Sequence, residues 1–508
     1  MKNLYKIYKK GTTLAFISVF TFGVFSCQTD LLDPVPKTQL IDQYAFDTPD
    51  RVSLQVNNLY TAVKNGQFLG GRYQVYNDIR AEDFLNRTTN GVTGLLVWNQ
   101  TVTETSQNDV ISLWNTAYAA INQINVFLQG LEDNDAKFVP PVFASDYKTV
   151  TLPAFKAEAR LLRALSYHCL LQIYAKPYTL GNPSVNKGLP LRLQAETSLA
   201  NNDLKRSSVE EVYSQIISDL DFAEQNLPLT YGSSAATLNV TRAHKNTAIA
   251  LKTRVYLTMG NYASVITEAN KIVSETVPFK AATGVPHALQ ASIASVFASP
   301  QETTESILSF PFTAQNAPGT QNQLAFYYRS SSTSSTNPGG GEYSLNPKKG
   351  VGILGDTAGW PVTDARRSFA YKVSTEYFWG KYPSGTPYID KAPVIRYAEV
   401  LLNLSEAIAR TTADVDAKAL ALLNAVRQRA DASVTLAPAD NAELLSAIKL
   451  ERRIEFLGEG IRSMDILRLN EDFPAKASVG AVPSTALNYI WPIPAPELAA
   501  NKLMERNE

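Results

Sequence analysis

The sequence predicts a mainly α-helical protein of stacked helical hairpins, carrying an inserted loop-rich subdomain with a few short strands. Three observations lead there. Residues 153–178, PAFKAEARLLRALSYHCLLQIYAKPY, read as one long helix with apolar side chains on more than one side, so it needs helices packed around it. Further helical pairs recur on both sides of it, as expected of hairpin repeats that bury a shared core. Between about 279 and 391 the helical period disappears and Ser, Thr, Gly and Asn cluster, most densely at 330–341.

In the organising helix Leu161, Leu165 and Cys169 recur at i+4, Leu162, Leu170 and Tyr174 line an adjacent stripe, and Lys156, Arg160 and Arg163 share the remaining face. Pro153 suits a first helical turn and Pro177 stops the run. Ahead of it, 50–63 carries Val52, Val56, Leu59 and Val63 at helical spacing. Residues 108–128 do the same with Ile111, Trp114, Tyr118, Ile121 and Ile124. Between them, 67–107 reads as an irregular, aromatic-bearing loop, the kind of segment that carries binding groups on a rigid frame.

After it, 207–227 opens on Ser208 followed by Glu211, a capping box, and ends at Pro228. Residues 241–273 form the clearest hairpin: Ala250, Leu251 and Tyr256 on one helix, a Gly260-Asn261-Tyr262 turn, then Val265, Ala269 and Ile272, with Pro278 beyond. This pattern resembles a tetratricopeptide repeat. Pairs at 394–430 and at 442–469, the latter about Gly458 and Gly460, complete a mainly α, tetratricopeptide-like array. The organisation expected is a leader at 1–26, a tether at 27–40, helical parts at 41–278 and 392–508, and the loop-rich subdomain at 279–391.

The 508 residues are 45% apolar and 19% charged, ordinary for a globular protein large enough to build a core. Residues 1–26 combine Lys2, Lys6, Lys9 and Lys10 with an apolar run from Leu14 to Phe25, which is a signal peptide too short to span a bilayer. Removing it leaves 43 basic against 47 acidic residues, a net charge of −4, so no nucleic-acid footprint is expected. Cys27 directly after the apolar run resembles a bacterial lipobox cysteine, although Phe25 is bulkier than the usual residue there. Lipidation with palmitate-type chains at Cys27 would provide stable anchoring, and Cys169 is then left without a disulfide partner.

Four segments, AEARLLRALSYHCLLQIY (157–174), IRYAEVLLNLSEAIA (395–409), ERRIEFLGEGIRSMDILRL (451–469) and IWPIPAPEL (490–498), resemble the SusD/RagB family of outer-membrane nutrient-binding lipoproteins. The resemblance implies a noncatalytic capture of an oligosaccharide, or of a peptide in some members. It also implies a SusC-like TonB-dependent transporter as partner and a lipid-anchored position at the cell outer membrane. Sugar rings stack their C–H faces on aromatic rings and hydrogen-bond through their hydroxyls. Two stretches offer that chemistry: Arg80, Asp83, Asn86, Trp98 and Asn99 in the first loop, and Trp360, Tyr377 and Trp379 in the loop-rich part.

Other chemistries find no support in the sequence. Gly350, Gly352 and Gly355 match GxGxxG but precede Trp360-Pro361 where a helix should start. His168, His244 and His287 lack metal-ligand spacing, and Glu132, Asp133 and Asp135 lack the EF-hand pattern, so neither metal nor cofactor is expected. There is no nucleophile elbow, Walker A loop or HExxH. Glu451 and Glu455 as the acid and base of a glycan hydrolase is the sharper alternative; the plainer reading gives 451–462 to ion pairs within the frame.

Overall fold

The organising helix is surrounded on all sides. In the computed structural model, which describes residues 44–333 and 335–507, it runs over Thr151–Tyr174, and from Ala157 onward every residue except Arg160 is buried. Arg163, on the remaining face with Lys156 and Arg160, is inside, its Nε donating to Asp219 at 2.8 Å and its Nη1 to Asn125 Oδ1 at 2.9 Å. His168 is also inside, 3.3 Å from Thr258 Oγ1. Cys27 lies outside the described residues, as do the leader and the tether.

The helices of the frame are α1 (Pro49–Val63), α2 (Arg72–Ile79), α3 (Leu95–Trp98), α4 (Ser112–Asp133), α5 (Thr151–Tyr174), α6 (Val209–Asn226), α7 (Lys245–Thr258), α8 (Tyr262–Ala269), α9 (Tyr397–Thr411), α10 (Ala417–Ala430), α11 (Asn441–Glu455), α12 (Arg462–Arg468) and α13 (Ala495–Ala500), with short helical segments also at Leu238–Thr241, Ile293–Phe297 and Leu324–Tyr328. From α4 to α10 each of these helices packs on the next, and α9 also touches α7 and α11. Ser208 caps α6 by accepting from Glu211 N–H, and the Glu211 carboxylate answers at Ser208 N–H. Gly260, at φ +70°, makes the α7–α8 turn. Ser53–Glu508 form one compact unit; of Met1–Val52, residues 44–52 are described, as a turn and the first residues of α1.

Two antiparallel sheets join the loop-rich stretch to the chain on either side of it. β2 (Ser306–Phe310) pairs with β6 (Ala392–Arg396), both fully buried. β1 (Phe84–Asn86), β3 (Tyr343–Leu345), β5 (Glu376–Trp379) and β4 (Ala370–Val373) follow in that order in the second sheet. The β4–β5 hairpin turns on Ser374, whose φ of +56° suits a tight turn matching the twist of the strands.

A buried charge network ties the same stretch to the helices. Arg366 reaches Glu451 at 2.6 Å and Glu455 at 2.9 Å, and Arg396 reaches Glu305 at 2.5 Å and Glu455 at 2.9 Å. Arg429 reaches Glu305 and Glu455 as well, and Lys381 reaches Glu459 at 2.5 Å. Burial pushes the Glu455 carboxyl up, but Arg429, Arg396 and Arg366 outweigh it and hold it below its ordinary range. The charged motif at 451–462 is thus a structural knot between α10, α11, β6 and the loop-rich stretch.

The segment expected to be an irregular loop, 67–107, holds α2, β1 and α3. Every residue of α2, RYQVYNDI, is buried. Its amide side chains donate inside: Gln74 Nε2 to Leu69 O at 2.8 Å and Asn77 Nδ2 to Tyr73 O at 2.8 Å. A helix enclosed on all sides needs no apolar stripe, so its sequence carries no amphipathic period.

Candidate ligand-binding face

Most of the predicted ligand contacts turn out to be frame residues. Trp98 is 7% exposed, its indole N–H donates to Phe84 O at 2.8 Å, and Lys476 Nζ stands 5.2 Å from its ring centroid. Trp360 and Trp379 are buried against each other, ring centroids 6.3 Å apart, and Trp379 donates to Leu457 O at 3.1 Å. Arg80 is fully enclosed, donating to Tyr489 O at 2.9 Å beneath the Phe473 ring. Asp83 is buried in a two-point ion pair with Arg453, at 2.6 and 2.9 Å, and accepts from Ile353 N–H at 2.7 Å. Burial raises the Asp83 carboxyl, but Arg453 more than offsets it and holds it low. These five residues therefore correct the sequence-based expectation: in this fold large rings and paired charges fill the interior and leave no surface for a sugar to rest on.

Asn86, Asn99 and Tyr377 remain accessible. Asn86 on β1 and Tyr377 on β5 share the four-stranded sheet, with Leu345 of β3 paired directly to Tyr377. Asn99 is at the other end of this region, after α3 and next to Gln100, whose side chain donates to Arg80 O and whose carbonyl accepts from Asn488.

Around Asn86 and Tyr377 the structure gathers groups that sequence reading passed over. Arg87 pairs with Glu376 and donates from Nε to Ser344 Oγ at 2.7 Å, and the Ser344 hydroxyl donates to Glu376 at 3.2 Å. Lys372, opposite Tyr377 in the β4–β5 register, holds its ammonium 5.6 Å from the phenol ring centroid. In the strand register Tyr377, Lys372 and Asn86 lie on one face of the sheet, a half-buried aromatic ring with an ammonium and an amide, while Arg87, Ser344 and Glu376 lie together on the other face. The first set can stack against the C–H face of a sugar ring and pair with its hydroxyls. The pairing of β1 with β3 and β5 is what unites these groups, and no local sequence signal announces it.

The acid and base weighed for a hydrolase are inside the frame. Glu451 and Glu455 are 0% exposed and each is engaged by arginine, so neither meets a substrate or a water. Among the described residues no group of three or more His, Cys, Asp or Glu is placed to hold a metal ion. Glu132, Asp133 and Asp135 are exposed at the end of α4, with Lys148 2.6 Å from Asp135.

Comparison with known proteins gives a consistent picture. Residues 33–257 match the SusD-like family described as "Starch-binding associating with outer membrane", and residues 369–508 match the SusD family. A solved SusD superfamily protein from Bacteroides fragilis is 30% identical and superposes with a TM-score of 0.76, over 91% of this chain and 99% of that one. The SusD-like protein P38 of Formosa agariphila is 22% identical over 98% of this chain and 99% of its own. A solved laminarin-binding SusD-like protein, 22% identical, has the same fold, with a TM-score of 0.68 over 91% of this chain and 99% of its own.

Proposed function

The chain belongs to the SusD/RagB family of outer-membrane-associated binding proteins, and from that premise we propose that it captures a glycan without cleaving it and passes it to a SusC-like TonB-dependent transporter. In this reading Cys27 carries the acyl chains that anchor the protein at the cell outer membrane, and the glycan rests on the sheet face about Tyr377. The observation that carries it is the half-buried Tyr377 ring with Lys372 and Asn86 on one face of a sheet whose strands are distant in sequence, beside a frame whose charged knot about Glu305, Glu451, Glu455 and Glu459 is internally paired.

Each residue then has a part. Tyr377 supplies the platform, Lys372 keeps that ring oriented, and the Arg87–Glu376–Ser344 set on the opposite face ties β1, β3 and β5 together beneath it. The rigid helical array and the buried network hold these positions before the ligand arrives, which reduces the ordering cost of binding. Handing over a ligand needs a site that grips sugar rings but performs no bond chemistry, and this face meets that requirement.

The test is calorimetric titration of the mature chain with a panel that includes laminarin oligosaccharides and peptides. Saturable heat with a glycan, reduced about tenfold in affinity by Tyr377→Ala, supports the reading. Binding of peptides alone, or release of shorter sugars, overturns it. Recovery of a TonB-dependent transporter from detergent-solubilised outer membranes checks the partner. Incorporation of labelled palmitate into the wild type but not into Cys27→Ala checks the anchor.

A further inference from the structure

On the helical side of the protein a groove assembles a separate set of sugar-compatible groups. Trp114, Tyr118 and Asn122 of α4 form one wall, Arg192 and Glu196 of the loop after Pro190 form another, and Glu497 of α13 completes it. The groove has a volume of about 490 Å³ and is open to solvent. That lies within the roughly 300–1,000 Å³ typical of small-ligand sites. No strand of the sheet face contributes to it.

The groove is rigidly built. The Asn122 amide donates to Glu196 O at 2.9 Å and accepts from Glu196 N–H at 2.8 Å. Tyr118 donates to Pro190 O at 3.0 Å, while Asn125 and Tyr167 each donate to Arg192 O at 2.9 Å. The Tyr118 ring is fixed against Trp114, centroids 4.7 Å apart.

Its charge is just as defined. Arg192 Nη1 meets Glu196 Oε1 at 2.6 Å, and Nη2 meets Glu497 Oε1 at 3.5 Å and Asn202 O at 2.9 Å. The guanidinium is spent on these partners. Glu196 and Glu497 each engage it through Oε1 alone, so the lining carries two carboxylates for one cation and a surplus of hydrogen-bond acceptors. A ligand must bring donors; a carboxylate, sulfate or phosphate would bring like charge and more acceptors.

We infer that this groove is a second saccharide site, selective for a neutral, hydroxyl-rich sugar unit whose ring lies on Tyr118 and whose hydroxyls donate to Glu196 and Glu497. The inference rests on the reading that the protein handles glycans, but it does not depend on the sheet face being where the main ligand binds.

The test is ¹⁹F NMR of the mature chain labelled with 5-fluorotryptophan, the Trp114 signal among the five tryptophans being assigned by Trp114→Phe. The probes are laminaribiose, which is neutral, and digalacturonate, which is anionic. Laminaribiose shifts the Trp114 signal saturably, and Tyr118→Ala weakens that response about tenfold. Digalacturonate gives no saturable shift in the wild type and gains one in Glu497→Gln, a variant that keeps the shape of the side chain. An unmoved Trp114 signal, a response insensitive to Tyr118→Ala and Glu497→Gln, or one that follows Tyr377→Ala instead overturns the inference. If calorimetry detects glycan binding lost in Tyr377→Ala while Trp114 stays silent, the groove is refuted and the sheet-face reading stands; the reverse pattern refutes the sheet face alone.

Discussion

Gly460 donates its backbone N–H to Asp78 Oδ2 at 3.0 Å, joining the turn after α11 to the buried helix α2. Gly460 has φ +78°, and a Cβ built on it would stand 2.5 Å from Gln74 Cα. Two costs coincide at Gly460→Ala: a left-handed backbone that L-residues disfavour and a clash with main chain that cannot move aside. The variant is expected to lose about 3 kcal/mol or more. Urea denaturation of the purified chain measures it, and a loss below about 1 kcal/mol contradicts the close approach of α2.

Glu455 accepts from Arg366, Arg396 and Arg429 inside the protein. Removing it leaves these three buried guanidinium groups sharing Glu451, Glu305 and Glu459 with one carboxylate too few, so the knot carries an excess positive charge away from water. Glu455→Ala is therefore expected to cost about 3–5 kcal/mol, the penalty of an uncompensated buried charge. The thermal midpoint should drop with no gain or loss of any hydrolytic activity. A variant as stable as the wild type would mean that water reaches this network.

Trp98 and Tyr377 were both candidates in the sequence, Trp98 the stronger, and should behave oppositely. Trp98→Ala leaves a cavity under β1 and frees Phe84 O of its donor, for a loss of about 3–5 kcal/mol. Tyr377→Ala acts on a half-buried ring and is expected to change stability by about 1 kcal/mol or less while weakening glycan binding. Thermal melts and calorimetry on the two variants separate the roles.

His168 is enclosed by α5 and α7, and burial first, then the nearby Arg254 charge, drives its pKa down to about 3. The unfolded chain takes up a proton near the ordinary histidine value of about 6.5 that the folded chain refuses, so this residue's contribution to stability is lost as pH falls below that value. Between pH 7 and 5 the wild type should lose about 2 kcal/mol more than His168→Gln does. Denaturant midpoints at the two pH values give that difference, and parallel behaviour of the two proteins would show that His168 titrates freely.

Ser208 and Glu211 close the capping box of α6 in both directions, at 3.1 Å for Glu211 N to Ser208 Oγ and 2.7 Å for Ser208 N to the Glu211 carboxylate. Ser208→Ala should cost about 1 kcal/mol. Amide exchange slowed least in the first turn of α6 would locate the effect.

The helical array was legible because its signals are local. Apolar residues at i, i+3 and i+4, the Ser208–Glu211 box and the Gly260 turn act within a few residues, so the sequence alone determined the hairpins, their order and the crowding around α5. The acids and bases of 451–462 were legible as ion-pairing residues of the frame for the same reason: glutamates and arginines beside Ile454 and Phe456 must find partners where water is scarce. What the tertiary structure decided is which side chains face outward. Trp98, Trp360, Trp379, Arg80 and Asp83 look like binding residues in a linear reading because they lie in segments without a helical period. They are buried because partners distant in sequence close over most of them, Lys476, Tyr489 and Arg453 from more than three hundred residues away and Leu457 from 78. Arg87 meets Glu376, and Tyr377 comes to lie beside β3, only because β1 pairs with β3 and β3 with β5 across nearly three hundred residues. Long-range pairing is set by the sum of the packing, and no window of sequence contains it.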